Sequence, residues 1–207
     1  MRFAMGLAAI YQGITGFVQK RRELRRSLGS EPDESKPRLL MHDDAPPALS
    51  PSAPICEHLR AEHRRLERLS YRARTALSDS VTALDPNAPA ELEKLHTGAV
   101  VHFAREEMVL FPQLRASLAD VLPEMEKEHN AVVALDQQVQ DLLRLPPETR
   151  GEDWLKQLCA RGNDLLDAIQ GHIQREEYRL LRPAEETLSP KDQQRLAAEM
   201  TALSTGD

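Results

Sequence analysis

The sequence predicts an all-α protein in which four long helices pack as an up-down-up-down bundle. Apolar residues recur at the three-to-four spacing of a helix from about residue 55 to residue 187. Aromatic residues make up 4% of the chain and glycine only 9 of its 207 residues, a composition that suits helices. Short breaks separate the periodic stretches, and helices joined by short turns pack as antiparallel neighbours.

The residues before the bundle are predicted to form two further segments. From Phe3 to Leu28 the apolar residues follow three-to-four spacing, which predicts an amphipathic helix over residues 1–29. Residues 30–54 hold six prolines among Asp, Glu and Ser. Such a composition cannot bury enough apolar surface to order the chain, so this segment is predicted to be a disordered linker.

Start and stop signals bound each helix of the predicted bundle, residues 55–187. The breaks between helices are Asp85-Pro86-Asn87, Leu118 to Asp120, and Pro146-Pro147. The four predicted helices span about residues 55–83, 89–118, 121–144 and 152–187. Within residues 188–207, Ser189 is placed to cap a short terminal helix that has Pro190 at its first position.

The distribution of charge limits the classes of partner. Residues 1–30 carry six basic side chains and one acidic side chain, a net charge of +5, whereas the whole chain carries −6. The acidic body argues against nucleic acid as a partner, because phosphate binding needs a basic face. The apolar stretch from Phe3 to Val18 is interrupted by polar residues and glycine, so it is not expected to span a bilayer. We expect a cytoplasmic protein whose basic helix, residues 1–28, docks peripherally on a membrane or on a protein partner.

One motif of histidine and glutamate occurs twice, seventy residues apart. His102-Phe-Ala-Arg-Glu106-Glu recurs as His172-Ile-Gln-Arg-Glu176-Glu. On an α-helix, a Glu four places after a His is rotated from it by only about 40°, so each copy projects an imidazole and a carboxylate from one face. This spacing is typical of metal ligands.

A shorter motif precedes each copy, Glu62-His63 before the first and Glu128-His129 before the second, so the chain contains two similar halves. The helix lengths place the four motif histidines near one level of the bundle, each within an apolar stripe that faces the core. A single histidine on an apolar face is usually a satisfied core residue. Four imidazoles and two carboxylates buried together would cost on the order of several kcal/mol per uncompensated ion, which bound cations would offset. The pattern therefore predicts a metal site.

The remaining histidines and charged neighbours are predicted to play no direct part in metal binding. His58 lies about 140° around its helix from His63 and is expected on the surface or supporting the ligands from outside. His96 is expected at the edge of the core, and His42 lies in the linker. The charged residues beside the motif glutamates are expected to lie on a solvated face: Arg105, Glu107, Arg175 and Glu177.

With these residues assembled, the chain resembles the hemerythrin-like, or HHE cation-binding, domain family over about residues 55–185. That family carries E-H on one helix and H-x-x-x-E-E followed by L-F-P on the next, twice over. The matching positions are Glu62-His63, His102 to Glu107 with Leu110-Phe111-Pro112, Glu128-His129, and His172 to Glu177. The second copy continues as Leu180-Leu181-Arg182-Pro183, one residue longer than L-F-P, but this departure lies beyond the ligands.

The resemblance implies a non-haem centre of two iron ions with oxo and carboxylate bridges. It assigns His63, His102, His129 and His172 as terminal ligands and Glu106 and Glu176 as bridging carboxylates. Mixed nitrogen and oxygen ligands suit two iron or manganese ions better than a closed tetrahedral zinc site. The oxygen carriers of the family have a further histidine four residues after the third-helix ligand, where this chain has Val133. The expected function is therefore iron handling, or sensing of or reaction with oxygen, nitric oxide or peroxide, and no catalytic residue is assigned.

Three other functions remain open at this point. A ferritin-like carboxylate di-iron oxidase would use the Glu-x-x-His spacings Glu93 to His96 and Glu126 to His129, but it leaves the repeated His-x-x-x-Glu unexplained. An iron–sulfur cluster repair-type di-iron protein would have similar ligands, although such chains usually add an N-terminal cysteine-containing domain and this chain has no cysteine before Cys56. An interaction protein would use the bundle as a sensor and residues 1–28 as its output.

The basic helix predicted over residues 1–28 can be tested directly. We expect the full chain to co-sediment with anionic liposomes at low salt and a chain beginning at Pro54 to stay in the supernatant, because the +5 charge lies before residue 30. Neutral liposomes and high salt serve as controls. If both chains stay in the supernatant under every condition and have the same native mass, membrane docking and self-association through this helix are both wrong, and a targeting peptide or a frayed tail without a role remains.

Overall fold

The computed structural model describes residues 54–79 and 83–202, and within them the chain is entirely helices and connecting turns. The predicted all-α bundle is therefore confirmed. The amphipathic helix predicted for residues 1–29, almost all of the predicted linker, and His42 lie outside the described residues. No helix within the described ranges is long and apolar enough to cross a membrane.

Four long helices form the bundle and a fifth helix packs at one end. The α-helices are α1 (Ile55–Asp79), α2 (Ala88–Arg105), α3 (Leu122–Arg144), α4 (Glu152–Glu176) and α5 (Pro190–Ala202), and a 3₁₀ turn spans Pro147–Thr149. The terminal helix begins as predicted, because the Ser189 hydroxyl accepts a hydrogen bond from the backbone N–H of Asp192 at 3.2 Å.

Two of the helices do not continue as the plain α-helices that the sequence predicted. After α2 and α4 come π-helical segments, Glu106–Leu110 and Glu177–Leu181, followed by short α-helical turns, Phe111–Leu114 and Arg182–Thr187. The Phe111 N–H donates to the carbonyl of Glu106, five residues back. Pro112 and Pro183 explain the change, because a proline lacks the N–H that an α-helix needs and its ring crowds the carbonyl four residues back.

The helices pack in the order that an up-down-up-down bundle requires. Helix α1 lies between α2 and α4, and α3 packs against α4. Among the four neighbouring pairs of long helices, α2 and α3 are the least closely packed. Helix α5 packs on α1 and on the first π-helical segment, which closes one end of the bundle.

The core consists of two apolar clusters with a polar layer between them. On α1, Leu66 belongs to one cluster and Leu59 to the other, and His63 lies between the two. On α3, His129 likewise lies between Met125 of the second cluster and Val132 of the first, whereas α2 and α4 belong to the first cluster and the π-helical segments after them to the second. The second cluster includes Leu196 and Met200 of α5, so that helix completes the apolar cover on its side of the polar layer. The fold therefore places the predicted ligands at mid-core, with apolar packing above and below.

Candidate metal centre

All six residues predicted as metal ligands meet in the polar layer. They are His63, His102, Glu106, His129, His172 and Glu176, and none is more than 2% exposed. Their side chains form two groups, in each of which the candidate ligand atoms lie within 4.8 Å of one another. One group contains His63 and His102, the other His129 and His172, and both groups share Glu106 and Glu176.

Each shared carboxylate contacts histidines from both halves of the sequence. The Glu106 carboxylate lies 3.5 Å from His102 Nε2, one turn away on the same helix, and 3.3 Å from His129 Nε2. Likewise, Glu176 lies 3.2 Å from the Nε2 atoms of both His172 and His63. The one-turn spacing therefore aligns each His–Glu pair, and bundle packing brings the second histidine to the same carboxylate. This is an arrangement in which each carboxylate can bridge two ions.

The other ring nitrogen of every ligand histidine faces outward onto a carboxylate. The Nδ1–oxygen distances are 3.0 Å for His63 to Glu177, 3.0 Å for His102 to Glu62, 2.7 Å for His129 to Glu107 and 3.0 Å for His172 to Glu128. Ionised carboxylates only accept hydrogen bonds, so Nδ1 carries the proton and donates it. Each neutral imidazole therefore turns a lone pair on Nε2 toward the centre, which is the form that binds a metal ion.

Three of these outer carboxylates are also held by an arginine. Arg105 donates to Glu62, Arg60 to Glu177 and Arg175 to Glu128. Burial would raise the pKa of Glu62, but the hydrogen bond and charge of His102, together with Arg105, lower it below its usual value. The hydrogen bond from His63, together with Arg60, lowers the pKa of Glu177 against the opposing effect of burial. These carboxylates therefore stay ionised as acceptors for the histidines.

These contacts correct the expectation of a solvated face for Arg105, Glu107 and Glu177, whose side chains are only partly exposed, whereas Arg175 is exposed as expected. Glu107 and Glu177 orient ligand histidines, and Arg105 and Arg175 hold the carboxylates Glu62 and Glu128. The sequence did contain a signal, because each of the four outer glutamates is adjacent in sequence to a predicted ligand. Glu62 and Glu128 serve a histidine of their own half, whereas Glu107 and Glu177 serve a histidine of the other half.

The inward-facing nitrogen and oxygen atoms of the polar layer are better suited to binding a metal ion than to hydrogen-bonding with one another. Of the buried side-chain atoms that lack a hydrogen-bond partner within the described residues, six lie in this layer: His102 Nε2, His129 Nε2, His172 Nε2, both carboxylate oxygens of Glu106, and Glu176 Oε1. Leaving such groups unsatisfied costs about 1–3 kcal/mol each, and more when they are charged. Nitrogen lone pairs and carboxylate oxygens that face one another are all electron donors, so a cation between them satisfies every one. Two ions that share both carboxylates account for all six residues.

Protons are the alternative means of compensating the layer when no metal is bound. Burial opposes protonation of His102, but the Glu106 charge and hydrogen bonds to further carboxylates outweigh it and raise its pKa to about 10. The pKa values of His63 and His129 are raised as well, because hydrogen bonds to glutamates outweigh burial. Burial would raise the pKa of Glu176, but the charge of His172 and hydrogen bonds from three histidines hold it well below its usual range. Metal binding must therefore displace protons.

The remaining candidate residues stay outside the metal layer. His58 is half-buried on α1 and joins neither group of ligand atoms. His96 donates from Nδ1 to Asp136 on α3 at 2.5 Å. Within the described residues, neither group includes Glu93, His96 or Glu126, so the Glu-x-x-His spacings of a ferritin-like site do not form a metal site here.

Comparison with known protein families agrees with this geometry. A family model described as the hemerythrin HHE cation binding domain matches residues 54–184, which include all six candidate ligands and their four outer glutamates. No curated protein matches the chain at a significant level.

The raised histidine pKa values predict how the metal-free protein responds to pH. Between pH about 6.5 and 10 the folded chain holds more protons than the unfolded chain, so the free energy of unfolding should fall as pH rises through this range. Urea denaturation of the metal-free protein at several pH values measures this slope. His102→Gln should flatten it, because glutamine does not titrate. A stability that is constant or increases from pH 6.5 to 10 would contradict the assignment.

Removal of an outer carboxylate should weaken metal binding even though every candidate ligand is still present. Glu62→Ala removes the acceptor that orients His102 and should weaken metal binding about 10- to 100-fold, the usual effect of such partners. Competition with a chelator of known affinity measures the change. Glu67→Ala, at an exposed position on the same helix, is the matched control and should bind as the wild type does. Equal affinities for the two variants would show that the hydrogen bond to His102 does not matter.

Proposed function

The chain belongs to the hemerythrin HHE cation-binding domain family, and from that premise we propose that its buried layer holds two iron ions in a non-haem di-iron centre. The observation that supports the proposal best is the sharing of Glu106 and Glu176 by two histidine pairs. Two shared carboxylates are what a pair of adjacent ions needs. A single ion would bind to one of the two groups of ligand atoms and leave the Nε2 atoms of the other two buried histidines without a metal ion.

The proposed ligand sets follow from the two groups of atoms. One ion would be held by His63 and His102 and the other by His129 and His172, with Glu106 and Glu176 available to both. This gives each ion two imidazole nitrogens and two carboxylate oxygens, a mixed set typical of iron or manganese and less typical of structural zinc. Four protein ligands per ion leave coordination positions for a small molecule.

The proposed reaction partner is a small molecule that binds at an open position: oxygen, nitric oxide or peroxide. The iron would supply electrons for reduction of such a molecule when bound in its reduced state. The chain's own residues hold the histidines in one tautomer, keep the outer glutamates ionised and exclude bulk water from the layer. Val133, at the position where the oxygen carriers of the family have a histidine, supplies no further ligand and is 45% exposed. We therefore propose reaction or sensing in preference to reversible oxygen carriage.

Metal stoichiometry provides the first test. We expect two iron ions per chain by elemental analysis, and a loss of at least one ion in Glu106→Ala or Glu176→Ala, because each substitution removes a bridge. His58→Ala is the control and should leave the stoichiometry unchanged. One tetrahedral zinc per chain, or full iron retention in the double variant His102→Ala, His172→Ala, would rule out the centre. The iron-loaded protein should also melt at a higher temperature than the metal-free protein.

The reaction with oxygen provides the second test. Stopped-flow mixing of the reduced, iron-loaded protein with oxygen should give irreversible decay to a ferric form. Val133→His should slow this oxidation, because an added imidazole would occupy an open position. Val101→His is the matched control, since Val101 is also exposed, at 39%, but does not follow a ligand by one turn. Spectra that revert when oxygen is removed would instead support reversible carriage.

A further inference from the structure

A cleft opens along the seam between α2 and α3, the least closely packed pair of neighbouring helices. The space between its walls, including the part that is open to solvent, is about 230 Å³. Its walls are almost wholly apolar, with α2 and α3 on the sides and α4 at the back. The lining residues that carry the argument are His96, Val100, Phe103, Val133, Asp136 and Ile169.

The inner end of the cleft meets the candidate metal layer. Phe103 lines the cleft, and its ring stacks on the ligand His129 with 4.2 Å between ring centroids and 17° between ring planes. The same ring lies 5.2 Å from the ring of His172 and 5.7 Å from that of His102. A single aromatic side chain that contacts three candidate ligands therefore separates the cleft from the layer.

The far end of the cleft is held by a polar pair. His96 of α2 donates to Asp136 of α3, and both residues line the cleft. They lie six residues before His102 and seven residues after His129, which is about 10 Å along the helices from the metal layer. The hydrogen bond joins the two helices there without filling the space between them. Between this pair and Phe103 lie Val100 and the exposed Val133, where the cleft meets solvent.

The other three seams of the bundle are closed at the level of the layer by ion pairs. Arg105 binds Glu62 between α1 and α2, Arg175 binds Glu128 between α3 and α4, and Arg60 binds Glu177 between α4 and α1. At the α2–α3 seam, within the described residues, the ion-pair partner of Glu107 is His129 alone. The cleft thus lies along the one seam that an arginine does not close.

We propose that this cleft is the entry route by which a small uncharged molecule of the size of oxygen or nitric oxide reaches the metal layer, with Phe103 as its inner barrier. The inference rests on the proposed function, adds the route to it and narrows the molecule to an uncharged diatomic. The cleft is narrow and has room only for a molecule of about the size of water or a diatomic. Its apolar walls admit an uncharged diatomic and disfavour an anion, which would lose its hydration on entry.

Two adjacent valines allow a matched test in the full-length, iron-loaded protein. Val100→Trp should fill the cleft and lower the second-order rate constant for reaction of the reduced protein with oxygen and nitric oxide at least tenfold. Val101→Trp, on the adjacent position outside the cleft lining, should react within twofold of the wild type. If Val100→Trp does not fold, Val133→Trp fills the same space from α3, and melting curves identify that case. Iron content and optical spectra should be the same in all of these proteins.

Xenon binding gives a readout that does not depend on reaction. Crystals of the full chain under xenon pressure should show a xenon atom in the cleft of the wild type and of Val101→Trp, and none there in Val100→Trp. A chain that holds no iron would overturn the proposed function, whatever the valine variants do. An iron-loaded chain in which Val100→Trp and Val133→Trp both react at the wild-type rate, or in which xenon binds elsewhere, would overturn the entry route alone.

Discussion

Burial of four imidazoles and two carboxylates at mid-core is the constraint on which the rest of the structure depends. An uncompensated ion in such a place costs several kcal/mol, about the scale of a domain's net stability. Groups outside and inside the polar layer compensate its buried polar and charged atoms. Outward, every Nδ1 meets a carboxylate. Inward, the lone pairs and carboxylate oxygens face each other and are satisfied either by cations or by protons, which the histidines hold because the neighbouring carboxylates raise their pKa values. Metal binding and folding are therefore thermodynamically coupled in this bundle, because a cation that replaces those protons stabilises only the folded arrangement.

The outer carboxylates also join the helices. Glu62 links α1 to α2, Glu128 links α3 to α4, Glu177 links α4 to α1, and Glu107 links α2 to α3. A ring of four hydrogen-bonded glutamates thus spans all four seams, one at each ligand histidine. Because each glutamate fixes both the orientation and the tautomer of its histidine, the geometry of the metal layer depends on all four helix contacts at once. The ring follows the internal repeat of the sequence, but its three arginines leave the α2–α3 seam different from the others.

Sequence periodicity was sufficient for the all-α fold and for the convergence of the six candidate ligands, and insufficient for the outer glutamates. His102 and Glu106 lie one turn apart on a helix, so their common direction follows from 3.6 residues per turn. The acceptor of His102 is on another helix, and no spacing within one helix reveals it. Glu107 looked like a surface residue because it is charged and follows the inward-facing Glu106. The π-helical turn that begins at Glu106 also departs from the α-helical period, and Pro112 was its local signal. The pattern Glu-Glu before a proline therefore carried information that charge and periodicity alone did not.

An uncharged diatomic molecule and a hydrated metal cation need different routes to the buried polar layer. An apolar cleft suited to an uncharged diatomic is a poor path for a hydrated cation, which would have to lose its water among Val100, Phe103 and Ile169. A metal cation would therefore have to reach the candidate ligands by another route. The glutamate seams offer one, because separation of two helices there exposes a carboxylate and a histidine together. Such separation is local unfolding, and it becomes easier as pH rises, because opening releases the protons that the buried histidines hold in the folded state. If the proposed centre and entry route are correct, opening of the bundle governs iron loading and the width of the α2–α3 seam governs access of small molecules, so substitutions at Val100 should leave the rate of iron uptake unchanged.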